Sequence, residues 1–129
     1  MGYYFSKIIS TSFDKAIELT TEALKNEGFG VLTDIDVKAT MKKKLNIDFR
    51  NYRILGACSP THAYRALLSE DKIGTMLPCS VIVQELEDNK IEIASVDPIA
   101  SMSAIQNPNL ADVAIEVQNK LKTVIENIK

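Results

Sequence analysis

The sequence predicts an α+β fold in two layers. A mostly antiparallel sheet is packed by long N-terminal and C-terminal helices, with short helical insertions between strands. Three observations carry that prediction. Apolar residues recur at helical spacing near both ends of the chain. Short stretches rich in β-branched and aromatic residues lie between them. The last two of these, "CSVIVQEL" and "KIEIASVD", are joined through the polar "EDNK" and must run antiparallel.

Residues 3–10 read as the first strand. Thr11 and Ser12 offer N-cap oxygens, and Asp14 complements the dipole of the helix that follows. Phe13, Ala16, Ile17, Ala23 and Leu24 give that helix one apolar face, which Leu19 broadens. Gly28 is a left-handed stop. In "FGVLTDIDV", Phe29, Val31, Thr33 and Ile35 alternate with Gly30, Leu32 and Asp34, as a strand with one mostly apolar face would. Asp36 caps a short helix over residues 37–45, and Lys42, Lys43 and Lys44 sit where its C-terminal dipole favours cations.

"YRILGAC" is the third strand, with Ile54, Gly56 and Cys58 on one face and Leu55 and Ala57 on the other. Both faces are apolar, so it is expected to be covered on both sides, or on one side by a partner chain. If residues 87 and 90 face each other across "EDNK", Ile82 pairs with Ser95 and Val81 with Val96. One face then carries Val81, Val83, Ala94 and Val96, and the other Ile82, Leu86, Ile91 and Ile93. That is more apolar sheet than the helices of one small domain cover, which implies a groove or a dimer interface. The last helix repeats Leu110, Val113, Val117, Leu121, Val124 and Ile128, with Asn109 as its expected N-cap.

The 129 residues suit one domain, 1–129, large enough to fold without disulfides or a metal. A net charge of −2 and a pI near 5.4 argue against nucleic acid as a partner. There is no 18-residue apolar run, no secretory leader and no cysteine framework, so a reducing cytoplasm is the expected location, with no membrane partner. "MGYYFS" formally fits a myristoylation pattern, but its aromatic residues fit the first strand better. No glycine-rich phosphate loop is present.

The chemistry-bearing stretch is "ILGACSPTHAYRALL". Ser59 is expected at a helix N-cap and Pro60 at its first position. Cys58 then ends a strand in front of a helix N-terminus, which favours a thiolate; the alternative is a small buried hydrophobe. His62 falls in the first turn, where a neutral imidazole is favoured. Cys58, His62 and Cys79 are the residues a metal would use, with Met76, Met102 and Asp97 able to join only through folding. No second half-site with ligand spacing exists, so no metal and no cofactor is expected. A Cys58–His62 dyad lacks an evident acid to orient the histidine. Asp97, before Pro98, reads as a turn cap or as a polar group in a cleft with the two cysteines.

Together "GFGVLTDIDV", "YRILGAC" with its following proline, "RAL", "LPC" and "VDP" resemble the domain of unknown function 302 family over nearly the whole chain. The resemblance implies a β-α-β(4)-α arrangement of the TATA-binding-protein-like kind and a homodimer, with no established activity. Its pattern touches Gly56, Cys58, Pro60, Arg65, Leu77, Pro78, Cys79, Asp97 and Pro98. Ser59 stands where that pattern usually has asparagine, and His62 lies outside it. The expectation is therefore a non-enzymatic homodimeric binding module for a small ligand, in a groove near Cys58, Cys79, Asp97 and Arg65. The alternative is a thiol- or metal-dependent activity at the same place.

Overall fold

The computed structural model describes residues 2–129. Five strands, β1 (Tyr4–Ser10), β2 (Gly30–Asp36), β3 (Tyr52–Cys58), β4 (Cys79–Glu87) and β5 (Lys90–Val96), form one antiparallel sheet in the order β1-β5-β4-β3-β2. The two-layer α+β expectation holds. Helices α1 (Phe13–Asn26) and α5 (Ala111–Asn127) pack on one face of this sheet, and the other face has no helical layer. Shorter helices α2 (Val37–Leu45), α3 (Pro60–Ser69) and α4 (Pro98–Ser101) are inserted between and after strands.

Local chemistry explains the two long helices. The Ser12 hydroxyl accepts from the Lys15 N–H at 3.2 Å, which satisfies one of the donors that every helix start leaves open. Phe13, Ala16, Thr20, Ala23 and Leu24 line up at steps of three and four and are buried. Thr20 is polar yet fully buried, and its hydroxyl is satisfied by the Ala16 carbonyl at 2.7 Å. Gly28 ends the run at φ +85°, a conformation that costs glycine little. In α5, Val113, Val117, Leu121 and Val124 are buried against the sheet and α1. Asn109 is not the cap of α5, contrary to expectation. A 3₁₀ turn, Pro108–Leu110, precedes it, and Asn107 accepts from the Asn109 N–H.

Two bulges decide which residues face the helices. The turn places Glu87 opposite Lys90, as expected, but the register shifts between Glu85 and Glu87. Ile82 therefore pairs with Ala94, not Ser95, and Val81 with Ser95, not Val96. The extra residue, Leu86, moves every partner by one, and a one-residue slip exchanges faces. Val81, Val83, Ile91 and Ile93 consequently share the helix-covered face and are fully buried. A second bulge between Val31 and Thr33 breaks the simple alternation read in β2. Val31 pairs with Ala57 and packs against the core, whereas Ile35 pairs with Ile54 and is exposed. Edge strand β2 is held to β3 by two bonds from Arg53 to the Asp34 carboxylate, 2.8 and 2.7 Å.

The uncovered face keeps Tyr4 and Ile8 of β1, Ala94 and Val96 of β5, and Ile82 of β4, and β3 and β2 add Ile54 and Ile35. Gly56 lies in this face, where β3 closes against its neighbours. A Cβ there would stand 2.6 Å from the Pro78 ring and would also meet the Thr33 hydroxyl. Overpacking of this kind costs about 1–3 kcal/mol. Gly56→Ala is therefore expected to lower the unfolding free energy from denaturant titration by that amount, and an unchanged value would contradict the packing described.

Candidate functional site

The candidate site is built where β3 ends and β4 begins. Ala57 pairs with Cys79 across the sheet, so Cys58, the next residue, lies beside the start of β4. Both cysteines are free, Cys79 buried and Cys58 half-buried. They line one cavity with Ser59, His62, Met102 and Val117, which leaves about 30 Å³ for the centre of a water-sized sphere. That is room for one small group.

The thiols are not activated. Burial pushes the Cys58 thiol up, and burial together with the neighbouring Cys58 pushes Cys79 up to about 11. Proximity to the start of α3 was expected to favour a thiolate. Desolvation wins because the walls of the cavity are mostly hydrocarbon.

Ser59 does occupy the N-cap of α3 with extended backbone, and Pro60 opens the helix, but the Ser59 side chain makes no capping bond. It lies 2.7 Å from His62 Nδ1 instead. His62 Nε2 is 3.2 Å from Glu116 Oε1 on α5, and Arg65 clamps the same carboxylate through two 3.0 Å bonds. The Arg65 guanidinium holds the Glu116 carboxyl below its ordinary range, with a smaller contribution from His62. Glu116 is thus an anion that only accepts hydrogen bonds, and the imidazole proton belongs on Nε2. In the neutral ring with its proton on Nε2, Nδ1 accepts from the Ser59 hydroxyl.

Other expected residues fall in different places. Asp97 caps α4, accepting from the Ile99 N–H at 3.0 Å, and also accepts from Gln118 at 3.0 Å; it is not among the residues that line the cysteine cavity. Arg65 reaches Glu116 at the mouth of that cavity rather than its interior. Cys58, His62 and Cys79 do line one cavity, yet among the described residues no three His, Cys, Asp or Glu side chains converge to hold a metal ion. Both ring nitrogens of His62 are already bonded, one to Ser59 and one to Glu116, so the histidine is engaged in a Ser59–His62–Glu116 chain and not with Cys58. Glu116 was the residue that sequence reasoning did not associate with this corner. Glu116 lies 54 residues from His62, and only its position on the polar side of an otherwise apolar helix marked it.

Fold and site together define a small α+β protein with one open sheet face and a cysteine-lined corner. The family model described as Domain of unknown function DUF302 matches residues 5–128, and the chain belongs to that family. It is also similar to the crystal structure of an uncharacterized conserved protein DUF302 from Bacillus stearothermophilus, with a TM-score of 0.91, 28% identity, and coverage of 100% of both chains. The comparison with curated proteins gives no match. Among the described residues no helix is long and apolar enough to cross a membrane.

The raised thiol has a consequence for stability. The folded chain holds the Cys79 proton to about 11, whereas an unfolded thiol releases it near 9.0. The stabilisation is complete below pH 9 and is lost as pH rises toward 11. At about 1.4 kcal/mol per tenfold change in proton activity, the loss is about 2–3 kcal/mol. Unfolding measured at pH 8 and pH 11 is expected to show this loss in the wild type and a smaller one in Cys79→Ala. Equal losses would refute it.

Proposed function

We propose that this chain acts as a homodimeric binding module of a reducing cytoplasm. In this reading two copies meet through the open sheet face, and each holds a small, mostly apolar ligand in the Cys58–Cys79 cavity. The observation that carries it is the composition of the open face. Tyr4 is 47%, Ile8 56% and Ile35 49% exposed there, although they sit on well-formed strands. These apolar residues are interspersed with Ser6, Ser80, Gln84 and Glu92 on the same face, and association is the usual way to cover exposed apolar side chains on a sheet without a helical layer.

Simple dimensions support the same reading. Five strands spaced about 4.8 Å apart, each of about seven residues rising about 3.3 Å, present roughly 500 Å². Two copies would bury about 1,000 Å², the lower bound for a specific interface. A hollow of about 420 Å³, lined by Tyr4, Tyr52 and Ile82 together with Ser80, Gln84 and Glu92, gives that face the concavity to receive side chains of a second copy. The protonated state of both thiols favours binding over thiol-dependent chemistry, which is the alternative use of the cavity.

Light scattering at micromolar concentration is expected to report twice the 14.3 kDa chain mass. Ile82→Lys, which places a charge in the middle of the face, is expected to yield a folded monomer. A monomeric wild type would refute the dimer. Fast thiol titration below neutral pH would transfer the site to the thiol-dependent reading.

A further inference from the structure

The Ser59–His62–Glu116 chain does something that neither the binding reading nor helix capping requires. An N-cap serine ordinarily spends its oxygen on the first backbone N–H groups of its helix. Here that oxygen is turned to His62 Nδ1 at 2.7 Å, and the N–H groups of Thr61 and His62 receive no side-chain cap. The histidine is oriented through its other nitrogen by Glu116, itself held by two bonds from Arg65. The His62 ring is only 12% exposed, while the Glu116 and Arg65 side chains that orient it reach solvent. A hydroxyl within hydrogen-bond reach of a base, and a base oriented by a third group, is the arrangement of an activated nucleophile. Ser59 and His62 both line the apolar cavity with Cys58 and Cys79.

From these observations we infer that Ser59 is a nucleophile for short acyl esters, with His62 as its base and Glu116 and Arg65 as positioning residues. The Ser59 oxygen adds to the acyl carbonyl carbon while its proton passes to His62 Nδ1. Nε2–H remains bonded to the Glu116 carboxylate. The oxyanion faces the uncapped N–H groups at the start of α3, where the helix dipole favours negative charge. The bond from carbonyl carbon to leaving oxygen then breaks, and His62 returns the proton to the departing alcohol. A water, deprotonated by His62, attacks the acyl-serine and releases the acid with Ser59 restored. No electrons change hands and no further reactant is needed. Space of about 30 Å³ admits an acyl group of roughly two carbons and excludes long chains.

The inference does not depend on the dimer or on a separate ligand, and its test differs from theirs. The purified chain is treated with a fluorophosphonate probe, and separately with p-nitrophenyl acetate. One covalent adduct is expected, mapped by peptide mass spectrometry to Ser59, together with ester hydrolysis. Ser59→Asn, which still caps a helix, is expected to abolish both while the melting curve is kept. His62→Gln is expected to slow them about 100-fold. Glu116→Ala is expected to lower the saturating rate about tenfold with KM within twofold, a split that a merely structural residue would not produce. An adduct on Cys58 or on any other residue, no adduct at millimolar probe, or hydrolysis that survives Ser59→Asn would overturn the assignment.

Discussion

The rest of this structure depends on where the β4–β5 hairpin inserts one extra residue. Antiparallel pairing gives each strand two faces, and a single-residue shift exchanges them completely. The shift at Leu86 aligns Val81 and Val83 with Ile91 and Ile93 on one side, and these four become fully buried under α1 and α5. Each such side chain contributes about 1.5–3 kcal/mol when removed from water, so the four set a large part of the core. An unbulged register would have divided them between the layers, with each face half apolar. The same shift leaves Ile82, Ala94 and Val96 together on the uncovered side. One local irregularity therefore produces both the core and the grouping of Ile82, Ala94 and Val96 on the uncovered face.

Most of the fold was legible because its signals are local. Helical spacing in Phe13, Ala16, Ala23 and Leu24, the Ser12 cap and the Gly28 stop lie within one stretch and agree with one another. The sequence order of strands and helices followed from signals of the same kind. Bulges are different, because nothing in "QELED" distinguishes a strand that pairs straight through from one that inserts Leu86. The choice is made by burial across the sheet, where isoleucines of β5 gain more under the helices than in water. The expected Asn109 cap failed for a related reason. Asn107 anchors the turn before α5 through a long-range bond from its amide to the Ser69 carbonyl, 2.7 Å.

The site was legible in part. Reading Ser59 and Pro60 as N-cap and first helical residue placed the Cys58 corner correctly, and "GAC" beside "LPC" brought the two cysteines to one cavity. Their protonation was not legible, because it depends on the hydrocarbon that other elements supply, such as Val117 of α5 and Met102 after α4. Glu116 was hidden for the same reason: a glutamate in a helix with a strong apolar repeat reads as a solvated residue. Only the packing of α3 against α5 shows that it faces Arg65 and His62.

The conflict at Ser59 decides how this corner is to be understood. Leaving an N-cap bond unmade costs about 1 kcal/mol, and the competitor for the Ser59 oxygen is His62 in the first turn of the same helix. The hydroxyl is drawn away by a histidine that Glu116 holds in place, and Glu116 in turn is fixed by the fork of Arg65. A tertiary contact between α3 and α5 has thus overridden a local preference. Such overrides concentrate where a side chain has a task other than holding its own helix. The cysteines beside it follow the opposite rule, since burial raises both thiols and disfavours the thiolate. Within this cavity the hydroxyl that departs from its capping role is therefore the group on which the proposed acyl chemistry rests, beside thiols that burial holds toward their protonated form.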